Sequence, residues 1–534
     1  MTSEAAGSRR WRFALLLIVF LACALRATSL TAQSLWRDEV DAIRFASRDL
    51  PALLANFRRS GENGPLYFLI LRYWWPLFPT YGQPVSPPAS DYALRFFSVI
   101  PGIAAVPLAA ILARRLLSWQ AGMLAALLVT TAPYLVWYSQ EGKMYALVTA
   151  LVLAALLALE AAIRRGRAAR WFVVWLFTTV AAYVHIMALL LIPVGITWFL
   201  LAWPRARARW LGGLATLAGL TLPYIPIALW QVRLLFWPRF RPGFPYVPLT
   251  DMAQVLLVAF SRGVPPTSLW TLTPFLFSLL AGLGLEWAGG ARSSPPPRPP
   301  PEGGKCTSVP LPLREGPGEG ETLPASEKTI PDREIWPDRR AIAALAVWLV
   351  LPVVGLWLIS LRVPLFVERY LIWTAPAFLI LVAQGLVAVW RRSRPVGAIA
   401  LVAVLLLNGQ ALWIQATTPI KSDFRAAAAF VAAHWQPGDL IIFLIPYSRF
   451  TFAHYYGDPA PWGDAPFTND GLSAEETGAR LARLTNGYAA AWLVTSEGEM
   501  WDRRGLVLAW LAAHGEIGAQ ADFTSVRVAR YDLR

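Results

Sequence analysis

Charge is scarce in this sequence: Asp, Glu, Lys and Arg make up 15% of its 534 residues, against 56% hydrophobic. A soluble chain of this length needs far more polar surface, and the mean hydropathy of +0.46 points the same way. Cysteine is scarcer still. Cys23 lies in an apolar run and Cys306 in a Pro-rich stretch, so the two define neither a disulfide framework nor a zinc site. No internal repeat recurs at a fixed period, so the repeated halves common in transporters are missing.

What the sequence does have is a succession of apolar runs of about 20 residues, each long enough to cross a bilayer as a helix. Eleven are expected, at about 12–30, 95–113, 120–137, 144–163, 171–185, 187–203, 211–229, 268–287, 341–360, 371–390 and 397–415. The formal charge of +15 suggests nucleic acid at first sight, but the arginines cluster at the ends of the runs. Arg9, Arg10 and Arg12, Arg114 and Arg115, Arg164 to Arg170, Arg205 to Arg209, and Arg391 to Arg394 all do so. That is the positive-inside pattern of cytoplasmic loops, and it calls for no nucleic-acid partner. It places the N-terminus in the cytoplasm and the C-terminus outside. Arg26 interrupts the first run and many runs follow it, so that run is expected to be an uncleaved anchor rather than a signal peptide.

The expected fold class is therefore an α-helical polytopic membrane protein with a small extracytoplasmic α/β domain. Residues 1–288 form an N-terminal transmembrane region with a long first outer loop at about 31–94, and residues 339–415 carry the last spans. Between them, residues 289–338, with "ARSSPPPRPPPEGGKC", cannot bury a core and read as a disordered cytoplasmic linker. Residues 416–534 have ordinary polarity. There "DFRAAAAFVAAHW" reads as a helix, "DLIIFLI" and "AAAWLV" as buried strands, and "GLVLAWLAAHG" as a closing helix.

The outer loops collect the reactive groups. "SLWRDEVDAIRFA" places Asp38 and Glu39 just beyond the first run, where a carboxylate can take a proton from a hydroxyl or amine, or bind a cation. Asp38 equally suits the N-cap of a helix over "EVDAIRFA". "SGENGPLYF" adds Glu62 and Asn63. "YSQEGKMY" adds Glu141 and Lys143, with a polar turn closed by an ion pair as the plain alternative. "FVERYLIW" adds Glu368, Arg369 and Tyr370, which also fit interfacial anchoring. His185 ends a helix, where a ligand, a base or a merely hydrogen-bonded ring all fit. Arg233, Arg239 and Arg241 suit either phosphate or lipid headgroups. What sets these groups apart is that carboxylates, cations and tyrosines from several loops gather on one face.

In their order and sidedness, "SLWRDEVDAIRFA", the PLYF element, "YSQEGKMYAL" and "ERYLIWTAPAFLILVA" resemble the GT-C membrane glycosyltransferases. The branch is the one similar to protein O-mannosyltransferases and the lipid A aminoarabinose transferase, and the resemblance covers about residues 1–415. It implies inverting transfer of a hexose or pentose, mannosyltransferase-like, from a polyprenyl-phosphate donor to an extracytoplasmic lipid, glycan or protein. It also implies Asp38 as general base, with Glu39 completing the acidic pair and orienting the site. Lys143 and Arg369 would face the donor phosphate, with Tyr145 and Tyr370 as hydrogen-bonding neighbours and Glu141 and Asn63 as further substrate contacts.

Two departures stand out. Asn63-Gly64-Pro65 replaces a His-Pro-Pro element, and Lys143 replaces an arginine, which keeps the charge but loses bidentate geometry. The Pro-rich insertion is also outside the pattern. The Asp-Glu pair can hold a divalent cation, but no further ligand cluster at fixed spacing accompanies it, so the lipid-linked donor is the only cofactor-like molecule implied. The alternatives are a transporter or lipid flippase without transferase activity, or a scaffold that displays the C-terminal domain.

Overall fold

A computed structural model describes residues 2–56, 64–74, 87–236, 244–264, 272–290, 338–457 and 460–534. Glu62, Asn63 and nearly all of the 289–338 stretch lie outside the described residues. So do Arg239 and Arg241, and the Arg233 side chain is likewise not described.

In chain order the membrane part comprises α1 (Thr2–Ala27), α2 (Arg37–Ala46), α3 (Leu50–Asn56), α4 (Pro65–Trp74), α5 (Pro87–Leu116), α6 (Trp119–Thr131), α7 (Pro133–Ser139), α8 (Tyr145–Arg165) and α9 (Ala168–Val184). It continues through α10 (Leu191–Leu201), α11 (Trp203–Ala206), α12 (Trp210–Phe236), α13 (Leu249–Arg262), α14 (Leu272–Gly290), α15 (Asp338–Ser360), α16 (Ala375–Arg392) and α17 (Arg394–Thr417).

Over its described residues every expected apolar run is mainly helical, but they are not eleven equal crossings. Among the described residues, six helices are long and apolar enough to cross a membrane, or seven if the bent α6–α7 pair is one span. Three more, Ala168–Val184, Ile186–Leu201 and Leu272–Glu286, are apolar but shorter. The first run lies in α1, whose length includes Arg9, Arg10, Arg12 and Arg26. Helix α13, Leu249–Arg262, lies between the expected seventh and eighth runs, where no helix is expected from the sequence.

Two local devices shape the bundle. Pro133 lacks an N–H and its ring crowds the preceding turn, so α6 and α7 meet at 58°. Buried Arg26 takes up the carbonyls freed there, donating to Val129 O (2.8 Å) and Thr130 O (3.1 Å), and to Ser139 Oγ (3.2 Å). The arginine that interrupts the first apolar run is thus the cap of a broken helix. Elsewhere, Gly284 of α14 lies against the Leu381 backbone and Gly385 of α16 against the Leu280 backbone, so a Cβ at either would collide. Small residues at such crossings let helices pack backbone to backbone.

The C-terminal region holds α18 (Phe424–His434), β1 (Asp439–Phe443), α19 (Ser448–Tyr456), β2 (Trp462–Asp464), α20 (Ala474–Thr485), β3 (Ala490–Thr495), α21 (Leu506–His514), β4 (Gly515–Phe523) and β5 (Val526–Leu533). Its sheet runs in the order β2-β1-β3-β5-β4, parallel across β2, β1 and β3 and antiparallel at β5 and β4. One face of the sheet packs on Phe424, Val431 and Phe452, the other on Leu481, Val507 and Leu511, so β1 is buried on both sides. Helix α21 is not the closing element, because two strands follow it. In β4 the residues are mostly exposed, so no apolar alternation marks that edge strand in the sequence.

Candidate active site

The site grows from the start of α2. Trp36 is extended (φ −99°, ψ 174°) and is the N-cap, so Asp38 lies in the first helical turn and is not the cap. Glu39 fills the capping-box position instead, accepting from the Trp36 N–H at 3.4 Å. Successive helical residues point about 100° apart, so the two neighbouring acids face different surroundings.

Glu39 is fully buried and saturated. Arg95 grips both its oxygens (Nε to Oε1 and Nη2 to Oε2, each 2.8 Å), Lys421 Nζ donates at 2.9 Å and Gly142 N at 2.9 Å. Burial alone would raise its pKa, but the charges of Arg95 and Lys421, with hydrogen bonds from Arg95 and Gly142, hold it well below the usual carboxylate range. Arg95 spends its remaining donors on the carbonyls of Leu30, Gln33 and Ser34. One carboxylate therefore ties α2, α5, the 140–144 turn and the segment after α17 together.

The same seam continues outward. The Gln33 side-chain oxygen accepts from the Ile420 and Lys421 N–H groups, both at 2.9 Å, and Ser34 Oγ donates to Ser422 O at 2.6 Å. Buried Asp91 accepts from Arg425 (2.8 Å) and the Tyr455 hydroxyl (2.8 Å) and lies 3.1 Å from His454 Nε2. The Tyr455 oxygen in turn accepts from Leu35 N at 2.6 Å. The C-terminal domain is thereby fastened to the segment between α1 and α2 and to the start of α5.

Asp38 is treated differently. Its side chain is 30% exposed and its Oδ2 lies 3.6 Å from Arg369 Nη2. Arg369 Nε donates to Tyr145 Oη at 2.9 Å, and its guanidinium lies 5.4 Å from the Trp36 ring centre. Rings of Tyr138, Tyr145, His185 and Tyr370 follow one another at centroid distances of 5.1, 6.0 and 5.3 Å. Glu368 accepts from the Tyr138 hydroxyl at 3.2 Å. Asp38, Arg369, Tyr145 and Tyr370 thus lie in one cluster, with His185 within its ring chain.

Glu141 and Lys143 do not form the ion pair considered from the sequence. Glu141 is 1% exposed, and its Oε1 has no hydrogen-bond partner among the described residues. Burial pushes its pKa up to about 7, with Lys421 and Arg369 opposing and Glu39 and Asp38 adding to the rise. The Lys143 ammonium lies 5.5 Å from the Phe68 ring centre.

Sequence reasoning missed Arg95, Lys421 and Asp91. An ionisable residue at the start of an apolar run was the available signal for Arg95. Lys421 lies past the last span, in "TTPIKSDF", where only the folded contacts reveal it. Among the described residues no group of three or more His, Cys, Asp or Glu is placed to hold a metal ion.

This arrangement, a helical bundle with an acidic segment after its first helix and a docked α/β domain, is a GT-C fold. Residues 88–230 match the family described as dolichyl-phosphate-mannose-protein mannosyltransferase. The crystal structure of apo ArnT from Cupriavidus metallidurans aligns with a TM-score of 0.55 at 14% identity, covering 99% of this chain and 98% of that one. ArnT bound to undecaprenyl phosphate aligns at 0.53 and 15%, covering 96% and 97%. The oligosaccharyltransferase AglB from Archaeoglobus fulgidus, in complex with an inhibitory peptide and a dolichol-phosphate, aligns at 0.55 and 11%, covering 98% and 74%. At these identities the likeness is one of fold. No curated protein matches the sequence. Fold and apolar helices together make this a multi-pass membrane protein.

Proposed function

We propose that the protein is an integral membrane glycosyltransferase that moves a sugar from a polyprenyl-phosphate donor to an extracytoplasmic acceptor with inversion. The observation that carries this reading is the Asp38–Arg369 pair: a partly exposed carboxylate, on a helix fixed by the buried ionic network of Glu39, facing a guanidinium at 3.6 Å. An acceptor hydroxyl or amine gives its proton to Asp38 as its lone pair attacks the anomeric carbon. The bond to the polyprenyl phosphate breaks on the opposite side, and the charge gathering on the departing phosphate is met by Arg369. Arg369 has five N–H donors, more than Asp38 and Tyr145 occupy. Tyr145 holds the guanidinium, Tyr370 lies beside it, and Lys143 adds a second cation from the 140–144 turn. Glu39 acts by fixing α2, and so the direction of Asp38, with Glu141 and Asn63 as further substrate contacts.

The undecaprenyl phosphate on ArnT and the dolichol-phosphate on AglB support the donor class. In this reading the helices cross eleven times with a cytoplasmic N-terminus. Residues 1–288 and 339–415 form the catalytic membrane region, 289–338 a cytoplasmic linker and 416–534 an outer domain. A transporter would use a discontinuous helix to face a mid-membrane site. The bent pair found among the described residues, α6 and α7, is instead capped by Arg26. Transfer assays with a panel of polyprenyl-phosphate sugars, comparing wild type with Asp38→Asn, test the reading. Loss of turnover in a folded variant is expected, and near-normal turnover would overturn Asp38 as the base.

A further inference from the structure

Helix α2 is clasped by α19 of the C-terminal domain. Arg37 lies over the Tyr447 ring at 3.8 Å and Arg44 over Phe450 at 3.4 Å. Phe450 has a second guanidinium, that of Arg449, at 4.5 Å, and Arg449 is also 4.2 Å from the Trp462 ring centre. A line of alternating cations and rings therefore runs from the helix that bears Asp38 to Trp462, on the edge strand β2. Beneath it lies a cavity of about 250 Å³ at the sheet edge. Ile441 and Phe443 of β1 and Phe452 of α19 form its floor, and Arg449, Tyr456 and Trp462 line its rim.

The chemistry of this cavity selects its occupant. Trp462 is 53% exposed, a large apolar surface left at the mouth of an apolar-floored cavity. The charge of Arg449 is matched by Asp464 at 3.0 Å, so the rim is close to neutral and offers donors and acceptors rather than a bare cation. A phosphate gains little there. The volume falls below the roughly 300 Å³ at which pockets for drug-sized ligands begin, so it suits one small ring and not a polyprenyl chain. A pyranose has a C–H face that stacks on an indole and a rim of hydroxyls that both donate and accept.

We propose that this cavity binds one neutral sugar residue. Resting on the transferase reading above, we assign that residue to the acceptor glycan, held by the same helix that clasps α2.

The test uses the full chain in a detergent without a sugar headgroup. Saturation-transfer NMR with neutral methyl pyranosides and short neutral glycans reads binding, and glycerol phosphate serves as the anionic probe. Saturable binding of a neutral sugar is expected, weakened about tenfold by Trp462→Ala and less by Trp462→Phe. Trp462 is exposed on an edge strand, so both variants should keep the melting temperature of wild type. Binding of glycerol phosphate alone, no saturable sugar binding, or wild-type affinity in a folded Trp462→Ala would overturn the proposal. Sugar binding at Trp462 in a protein inert toward every donor would sink the transferase reading and leave the cavity standing. Normal transfer with an unchanged acceptor KM in Trp462→Ala would do the reverse.

Discussion

Asp38 and Glu39 are neighbours in sequence and opposites in surroundings. Glu39 is wholly buried and held by Arg95, Lys421, Gly142 and the Trp36 amide. Asp38 is partly exposed and meets one cation at 3.6 Å. The first is a joint whose oxygens are all spoken for, and it has no lone pair to offer a substrate. The second has its Oδ1 outside that contact, while its backbone is fixed by the first. A site that must move a proton needs both, a rigid base for the helix and a lightly held group on it.

Exchanging the two amides breaks the comparison most sharply. Glu39→Gln leaves Arg95 and Lys421 buried without their counter-charge, a loss of about 3–5 kcal/mol for a severed buried pair. A melting temperature many degrees below wild type is the expected result, with transfer falling as the fold loosens. Asp38→Asn should leave the melting temperature unchanged and cut transfer by about 10²–10⁴, the usual range for a lost general base. If Glu39→Gln melted like wild type, the joint would be misread. Next in size is Arg369→Ala, which removes the charge-assisted contacts expected at the donor phosphate. At about 1.5–3 kcal/mol for such bonds, donor affinity should fall roughly 10- to 100-fold, with the fold intact. Titration of the undecaprenyl phosphate carrier would check it, and unchanged affinity would remove Arg369 from the phosphate.

Acidity sharpens the same contrast, because Glu39 and Glu141, both buried, shift in opposite directions. Glu39 is depressed, so its contribution is full above the ordinary glutamate pKa and is lost progressively as pH falls below it. Glu141 is raised to about 7, so between about 4.5 and 7 the folded protein holds a proton that the unfolded chain releases. Stability from Glu141 is therefore full below that window and falls by about 1.4 kcal/mol per pH unit as pH rises through it. The charges facing Glu141 are those of Lys421, Arg369, Glu39 and Asp38. Thermal unfolding of wild type and Glu141→Gln from pH 5 to 8 isolates the effect. The wild type should lose stability relative to the variant up to pH 7 and run parallel above it, and a constant difference would refute the assignment.

The helices were legible because hydrophobic runs and arginine clusters report on single segments. Each expected run is mainly helical over its described residues, and α18, β1 and β3 fall where their patterns place them. Asp38, Tyr145 and Arg369 could be gathered from loops sharing one face, but their contacts could not be read off. Arg95, Asp91, Lys421 and Arg425 escaped because their roles are pairwise and distant. The Glu39–Lys421 bond spans 382 positions and the Asp91–Arg425 bond 334. No local period encodes such a bond. The division of labour between two adjacent acids was equally hidden, since it depends on where α2 begins, and that is set by Trp36 rather than by Asp38.

Lys143 gives the smallest expected effect and the finest test of the comparison. It shares the 140–144 turn with Gly142, which the Glu39 joint holds, yet its ammonium rests against Phe68 at 5.5 Å. A cation–π contact of this kind is worth about 0.5–1 kcal/mol where solvent reaches it. If Lys143 serves the phosphate only as a second, more distant charge, Lys143→Ala should raise the donor KM by less than about fivefold and leave kcat unchanged. Lys143→Arg should recover most of that loss, because charge rather than fork geometry is what the position supplies. A loss equal to that of Arg369→Ala would mean that the lysine swings from Phe68 to the phosphate when the donor binds. The lightly held part of the site would then extend from Asp38 across to the turn, and the rigid joint at Glu39 would be its only fixed point.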